Sequence, residues 1–358
     1  MFNHKFLKAI GLMSGTSMDG VDVALIESNG FSIKKENKFL FSPYPKTFQK
    51  NLRNLIDNPS LDSKLSLNVT KELTKIHIKA VQEFLKKYNL KSEDIDLIGF
   101  HGHTILHNPD QKLTWQIGDI ALLEERVGIK VIGDLRNIDI KKGCQGAPLA
   151  PIYHHALLKE YFNEEVIFMN IGGVSNITYV TKDENDMLTG DICFGNAPMD
   201  DLIYKNLGKN FDESGIIARK GKVNLELSDK FLKLEFFQKT FPKSIDRNEF
   251  NNHLIMLDGL SLEDALATLI DIIAKSLKIS LELLPKKPKK IIIAGGGAKN
   301  IFMIEKIKEI TSLEILDAKD FNINIDAVEA ELFAFLAIRH FYHLPFSFSG
   351  NNNSNALI

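Results

Sequence analysis

Short apolar runs alternate with glycine-rich turns along most of the chain, and the spacing within each run separates strands from helices. Phe6–Ile10, broken only by Lys8, and Val21–Ile26 predict two strands around the turn GLMSGTSMDG, Gly11 to Gly20. Lys38–Phe41 is expected to extend that sheet. Leu73, Ile76, His77, Ala80, Val81, Phe84, Leu85 and Tyr88 recur at i, i+3, i+4 spacing and predict a long amphipathic helix. Ile95–Phe100 reads as a strand ending in His101-Gly102-His103-Thr104. Short strands at Trp115–Ile117 and Val131–Ile132 follow, with a helix at Ile120–Val127 between them. KKGCQGAPLAP, Lys141 to Pro151, reads as a loop leading into a helix over Ile152–Tyr161.

The opening pattern then returns. Val166–Ile171 and Ile177–Val180 flank the turn Gly172-Gly173-Val174-Ser175-Asn176, and a second acidic loop, DICFGNAPMDD, runs from Asp191 to Asp201. Ser261 starts a long helix, Ile291–Ala294 reads as a strand, and Gly295-Gly296-Gly297-Ala298-Lys299-Asn300 is expected to open another helix. Asp326 is expected to start the last one, running to about His340. Each half thus reads as strand, glycine turn, strand, and later long helix, strand, glycine turn. Gly15 and Gly102 mark the first half, Gly172 and Gly295 the second. The pattern predicts a duplicated α/β protein of two domains around a central cleft. The expected boundaries are 1–130 for the first lobe, with a tail 340–358 packed on it, and 131–339 for the second.

Length and composition fit this picture. The 358 residues allow two cores, and 44% apolar with 25% charged residues is ordinary for a soluble globular chain. A net charge of -2 calls for neither nucleic acid nor an anionic membrane as partner. Two cysteines, Cys144 and Cys193, make neither a disulfide scaffold nor a metal cluster and fit a reducing cytoplasm. No signal peptide is read at the N-terminus, and no apolar run approaches the roughly 20 residues of a membrane helix.

Glycine turns after strands cradle anions with backbone N–H groups, and three of them suggest a ligand with several phosphates. GxxxxGK[ST], a complete dinucleotide fingerprint and HExxH are all missing. Asp19 is placed to reach a phosphate-bound magnesium through water, or else caps its own turn. Asp191 is the candidate general base; a turn aspartate is the plainer reading. Glu329, three residues after Asp326, fits a capping box, and His101 and His103 fit structural hydrogen bonding as readily as catalysis. Arg136 is a fork for a carboxylate or a solvated surface residue.

GLMSGTSMDGVD, FHGHT, DLRNIDIKKGCQGAPLAP, NIGGVSNIT, DICFGNAPMDD, AGGGAKN and DAVEAELFAFLA, in this order, resemble the anhydro-N-acetylmuramic acid kinases from about Ile10 to Phe341. The resemblance implies the ribonuclease-H-like, actin-like ATPase fold of the sugar kinase, Hsp70 and actin superfamily, with ATP between the lobes. It also implies a kinase that opens 1,6-anhydro-N-acetylmuramic acid with water and phosphorylates O6, in a homodimer that recycles cell-wall sugars. Rival readings are a hydroxyl kinase for another amino or anhydro sugar and a non-enzymatic actin-like ATPase. By resemblance Gly15, Thr16, Ser17, Met18, Asp19, Gly20, Val21 and Asp22 form the first phosphate turn, with Asp19 toward Mg2+. Gly172, Gly173, Ser175 and Asn176 form the second, and Gly295, Gly296, Gly297 and Asn300 lie by the nucleoside. Asp191 is the catalytic aspartate, and His101, Arg136, Gln145, Asn196 and Glu329 form the sugar-binding set. Cys193-Phe194-Gly195-Asn196 stands where the family usually has a Gly-Pro-Gly-Asn turn, which marks Phe194 as a residue able to reshape the sugar pocket.

Overall fold

A computed structural model describes residues 4–15, 17–108, 111–245 and 250–346; Thr16 and the tail 347–358 lie outside the described residues. The chain divides into two compact units, residues 1–157 with 322–349, and residues 158–321 with 350–358.

The first unit holds β1 (Leu7–Met13), β2 (Gly20–Ser28), β3 (Ile33–Pro43), β4 (Leu97–Phe100), β5 (His103–Asn108), β6 (Leu113–Ile117) and β7 (Val131–Gly133). β1, β2 and β3 form an antiparallel meander, and β4 and β7 add in parallel beside β1, giving the order β3-β2-β1-β4-β7. β5 and β6 form a separate hairpin. The alternation Val21, Val23, Leu25 sends these side chains to one face, where they share a core with Leu73, Val81 and Phe84 of the helix Lys64–Lys87. The opposite face carries small residues, Gly11, Ala24 and Gly99, and receives the helix Val328–Phe341. A Cβ on Gly11 would fall 1.7 Å from the Ala330 carbonyl oxygen, and one on Gly99 2.0 Å from that of Phe333. Glycine is required at both positions because helix backbone touches sheet backbone.

The second unit repeats the plan with β8 (Val166–Ile171), β9 (Val174–Val180), β10 (Leu188–Phe194), β11 (Lys290–Ala294) and β12 (Glu314–Leu316). β8, β9 and β10 are antiparallel, β11 and β12 join in parallel beside β8, and the order is β10-β9-β8-β11-β12. The same order built twice is the duplicated α/β arrangement expected. Gly102 after β4 and Gly295 after β11 occupy matching places, and both have positive φ, 70° and 76°. The core of this unit lies between the sheet and the helix Leu262–Glu282, with an aromatic group of Phe194, Phe231, Phe236, Phe237 and Phe250 at one end.

The units differ from the expected boundaries. The first extends past residue 130 to Leu157 because β7 pairs with β4, and it takes in residues from Asn322 because the helix Val328–Phe341 packs on β1, β2 and β4. Three local readings also change. Leu135–Lys141, to which no element was assigned, is a helix that carries Arg136. Leu188–Phe194 is a strand, so Asp191 sits within β10. Gly296–Lys299 is a single 3-10 turn, and the following helix starts only at Ile301.

Candidate active site

In the first unit the turn between β1 and β2 is held from beneath. Tyr44 donates its hydroxyl to Ser14 Oγ at 2.6 Å, and Ser14 Oγ is hydrogen-bonded to His103 Nδ1 at 2.8 Å. Ser14 is therefore buried and spent on the core. Met18 and Val21 are likewise core residues by side chain, and a Cβ on Gly20 would fall 2.4 Å from the Ser42 carbonyl oxygen. Met18 has φ of 52° and donates its N–H to Gly15 O at 3.1 Å, closing the turn. Among the described residues of the turn, Ser17 and Asp19 are exposed and Gly15 is partly so. Ser17 Oγ donates to Asp19 Oδ1 at 2.6 Å. Around Gly15 there is room: a Cβ would meet nothing closer than Glu329 Oε2 at 3.8 Å. The fold does not require glycine there.

His101, Arg136 and Glu329 form one group in the same unit. Arg136 Nε donates to His101 Nε2 at 3.0 Å, so His101 carries its proton on Nδ1 and donates it to Gly102 O at 3.0 Å. The imidazole is neutral; burial, then the adjacent guanidinium, hold its pKa well below the ordinary value. Arg136 Nη1 donates to Gly146 O at 2.9 Å, and Asp139 Oδ2 accepts the Gly146 N–H at 2.7 Å. Arg136 is drawn below its usual pKa by burial, while Glu329 and Asp139 act in the opposite sense. This bracket fixes the loop that carries Gln145, which is exposed. Glu329 is exposed in the first turn of its helix, whose N-cap is Ala327 and not Asp326. The capping-box explanation of Glu329 therefore fails, and its charge is instead felt by Arg136.

Burial pushes His77 and His103 down to about 4 and His154 to about 3. These imidazoles gain protons in the unfolded chain as pH falls below about 6.5 while staying neutral in the folded one. The folded state should therefore lose stability steadily as pH falls from about 6.5 toward about 4. Thermal midpoints recorded across that window check this; a flat profile would contradict it.

In the second unit the turn after β8 is pinned by its carbonyls. Gly195 N–H donates to Gly173 O at 2.8 Å and Asn196 N–H to Gly172 O at 2.7 Å. Asn196 Nδ2 donates to Ile171 O at 3.2 Å. A Cβ on Gly172 would meet nothing nearer than 3.7 Å, so Gly172, like Gly15, is free of any packing demand for glycine. Ser175 is fully buried, and its hydroxyl is not presented at the turn. The register sets Asn170, Asn176 and Asp191 side by side on β8, β9 and β10, on one face of the sheet. A β-bulge between Asp191 and Cys193 re-aims the chain at this point. Asp191 Oδ2 accepts the N–H of Ile245 at 2.9 Å. Gly295 and Gly297 are packed against Asn170 and Ile171, so of the triple glycine only Gly296 is exposed. Asn300 caps the helix Ile301–Thr311, its Oδ1 accepting from Met303 N at 3.0 Å. Phe194 is 2% exposed and packs on Phe231 and Phe250, so it belongs to the core and does not reshape a pocket.

Sequence reasoning missed Tyr44, Asp139 and Asn170. Only Asp139 left a signal, three residues after Arg136 on one helix face. Cys144 and Cys193 form no disulfide. Among the described residues no helix is long and apolar enough to cross a membrane, and no group of three or more His, Cys, Asp or Glu assembles a metal site.

The sequence model of the anhydro-N-acetylmuramic acid kinases matches residues 7–355. A protein of that name from Zymomonas mobilis is 42% identical over 95% of this chain and 94% of its own length. One from Bradyrhizobium diazoefficiens is 38% identical over 96% and 95%. Among solved structures, a component of (R)-2-hydroxyglutaryl-CoA dehydratase from Acidaminococcus fermentans aligns over 93% of this chain and 98% of its own, at 13% identity and a TM-score of 0.46. With a family match over nearly its whole length and relatives at this level of identity, the chain belongs to the anhydro-N-acetylmuramic acid kinase family.

Proposed function

We propose that the protein is an ATP-dependent kinase that opens 1,6-anhydro-N-acetylmuramic acid with water and phosphorylates its O6. The observation that carries this reading is the pair of turn glycines, Gly15 and Gly172, at matching points of the two sheets. Both turns leave space where a side chain would fit without clash, which suits backbone N–H groups approached closely by phosphate. Asp19, exposed and accepting from Ser17, fits a carboxylate that reaches a phosphate-held Mg2+ through water. Bound there, the ion would neutralise charge on the phosphates.

The chemistry balances without further reagents. A water oxygen bonds to C1, the C1–O6 bond breaks, O6 bonds to the γ-phosphorus and the bond to ADP breaks. Asp191 takes the water proton and returns it to solvent. Arg136, held in plane by His101 and Gly146, offers its remaining N–H groups to the sugar, with Glu329, Gln145 and Asn196 as further polar partners. A cytoplasmic homodimer acting in cell-wall sugar recycling is part of the same proposal. ADP release measured against a panel of anhydro and reducing amino sugars tests it. Turnover is expected with the anhydro sugar and little without acceptor; equal turnover with no sugar present would favour an actin-like ATPase instead.

A further inference from the structure

The segment Phe241–Ile245 lies flush against β10 at the aspartate. Asp191 N–H donates to Lys243 O at 2.8 Å, and Ile245 N–H returns to Asp191 Oδ2 at 2.9 Å. A Cβ on Gly190 would fall 2.6 Å from Lys243 O, so only glycine allows this approach. Lys243 itself is 7% exposed. Its Nζ stands 4.8 Å from the ring centroid of Phe236, 5.4 Å from that of Phe241, and 3.5 Å from Phe236 O. Among the described residues no carboxylate pairs with it. A buried ammonium is costly to keep, and a Met or Leu would fill the same space without that cost. The cation holds two aromatic faces together, one of them in the segment and the other in the aromatic core.

We propose that Lys243 is a positioning residue for Asp191. Its ammonium, set against Phe236 and Phe241, fixes the segment's register on β10 and so keeps the Ile245 N–H on Asp191 Oδ2. With one carboxylate oxygen held by that bond, the orientation of the other is set as well. This inference rests on Asp191 being the base.

Lys243→Met keeps the length of the stem and removes the charge. It is expected to lower kcat about 10- to 100-fold, the scale of a reacting group displaced by a fraction of an ångström to an ångström. KM for ATP and for the sugar should stay within about two-fold, since Lys243 is buried. Lys243→Arg, which keeps a cation over the rings, should recover most of kcat. Gly190→Ala pushes the segment off β10 by another route and should reproduce the kcat loss in a protein whose melting is still cooperative. A Lys243→Met enzyme with wild-type kcat, a fall in affinity that accounts for the whole loss, or an Arg variant no better than Met would each overturn the proposal. Asp191→Asn measured alongside separates the two ideas. If that variant is active, the base assignment fails; if it is inactive while Lys243→Met is normal, only the positioning role fails.

Discussion

Asp191→Asn is expected to lower kcat by ~10²–10⁴-fold while nucleotide and sugar affinities stay unchanged. The substitution keeps shape and removes the negative charge. A 1,6-anhydro sugar has no free O6 hydroxyl to deprotonate, because O6 is tied to C1 in an acetal. The reaction must deliver water to C1, and a carboxylate there takes its proton as the oxygen bonds. Bond cleavage at C1 also develops oxocarbenium character, which a fixed negative charge stabilises. The proposal for Asp191 draws on its setting. It stands on a bulged strand, in register with Asn176, with one carboxylate oxygen held by a backbone N–H. Single-turnover rates and equilibrium binding of ATP and sugar check the expectation, and a nearly active variant would remove the base.

Gly15→Val should weaken nucleotide binding by about 10-fold or more in a protein that melts like the wild type. A Cβ at Gly15 meets nothing nearer than 3.8 Å in the folded chain, so the turn tolerates a side chain. A phosphate lying on the turn's N–H groups would occupy the space the valine methyls take. Calorimetric titration with a non-hydrolysable ATP analogue measures it. Unchanged affinity would count against the cradle, and a large loss of stability would show that Gly15 serves packing after all.

The duplicated architecture was legible because its signals are local. Apolar runs, glycine turns and helical spacing mark β1, β2, β8, β9 and the helices Lys64–Lys87 and Leu262–Glu282 in the sequence itself. Asp191 was expected to open a loop and stands within a strand. Leu188–Phe194 contains Gly190 and Asp191, poor strand formers, and one partner of this stretch is Lys243, some fifty positions later. The same separation hid the burial of Phe194, whose neighbours Phe231 and Phe250 come from a stretch without clear periodicity. Tyr44 and Ser14 meet His103 only once β1 and the start of the helix Lys46–Asp57 are folded against β5. Glycines behaved unequally for the same reason. Gly11, Gly20, Gly99 and Gly297 answer to packing by distant segments, while Gly15 and Gly172 do not, and no motif alone tells the two kinds apart.

The proposed reaction turns on water attacking C1 while O6 becomes the phosphate ester. Running the reaction in ¹⁸O-labelled water and locating the label by mass spectrometry tests it most directly. Label is expected at C1 of the product and none in the bridge between C6 and phosphorus; label in that bridge would rule out attack of water at C1.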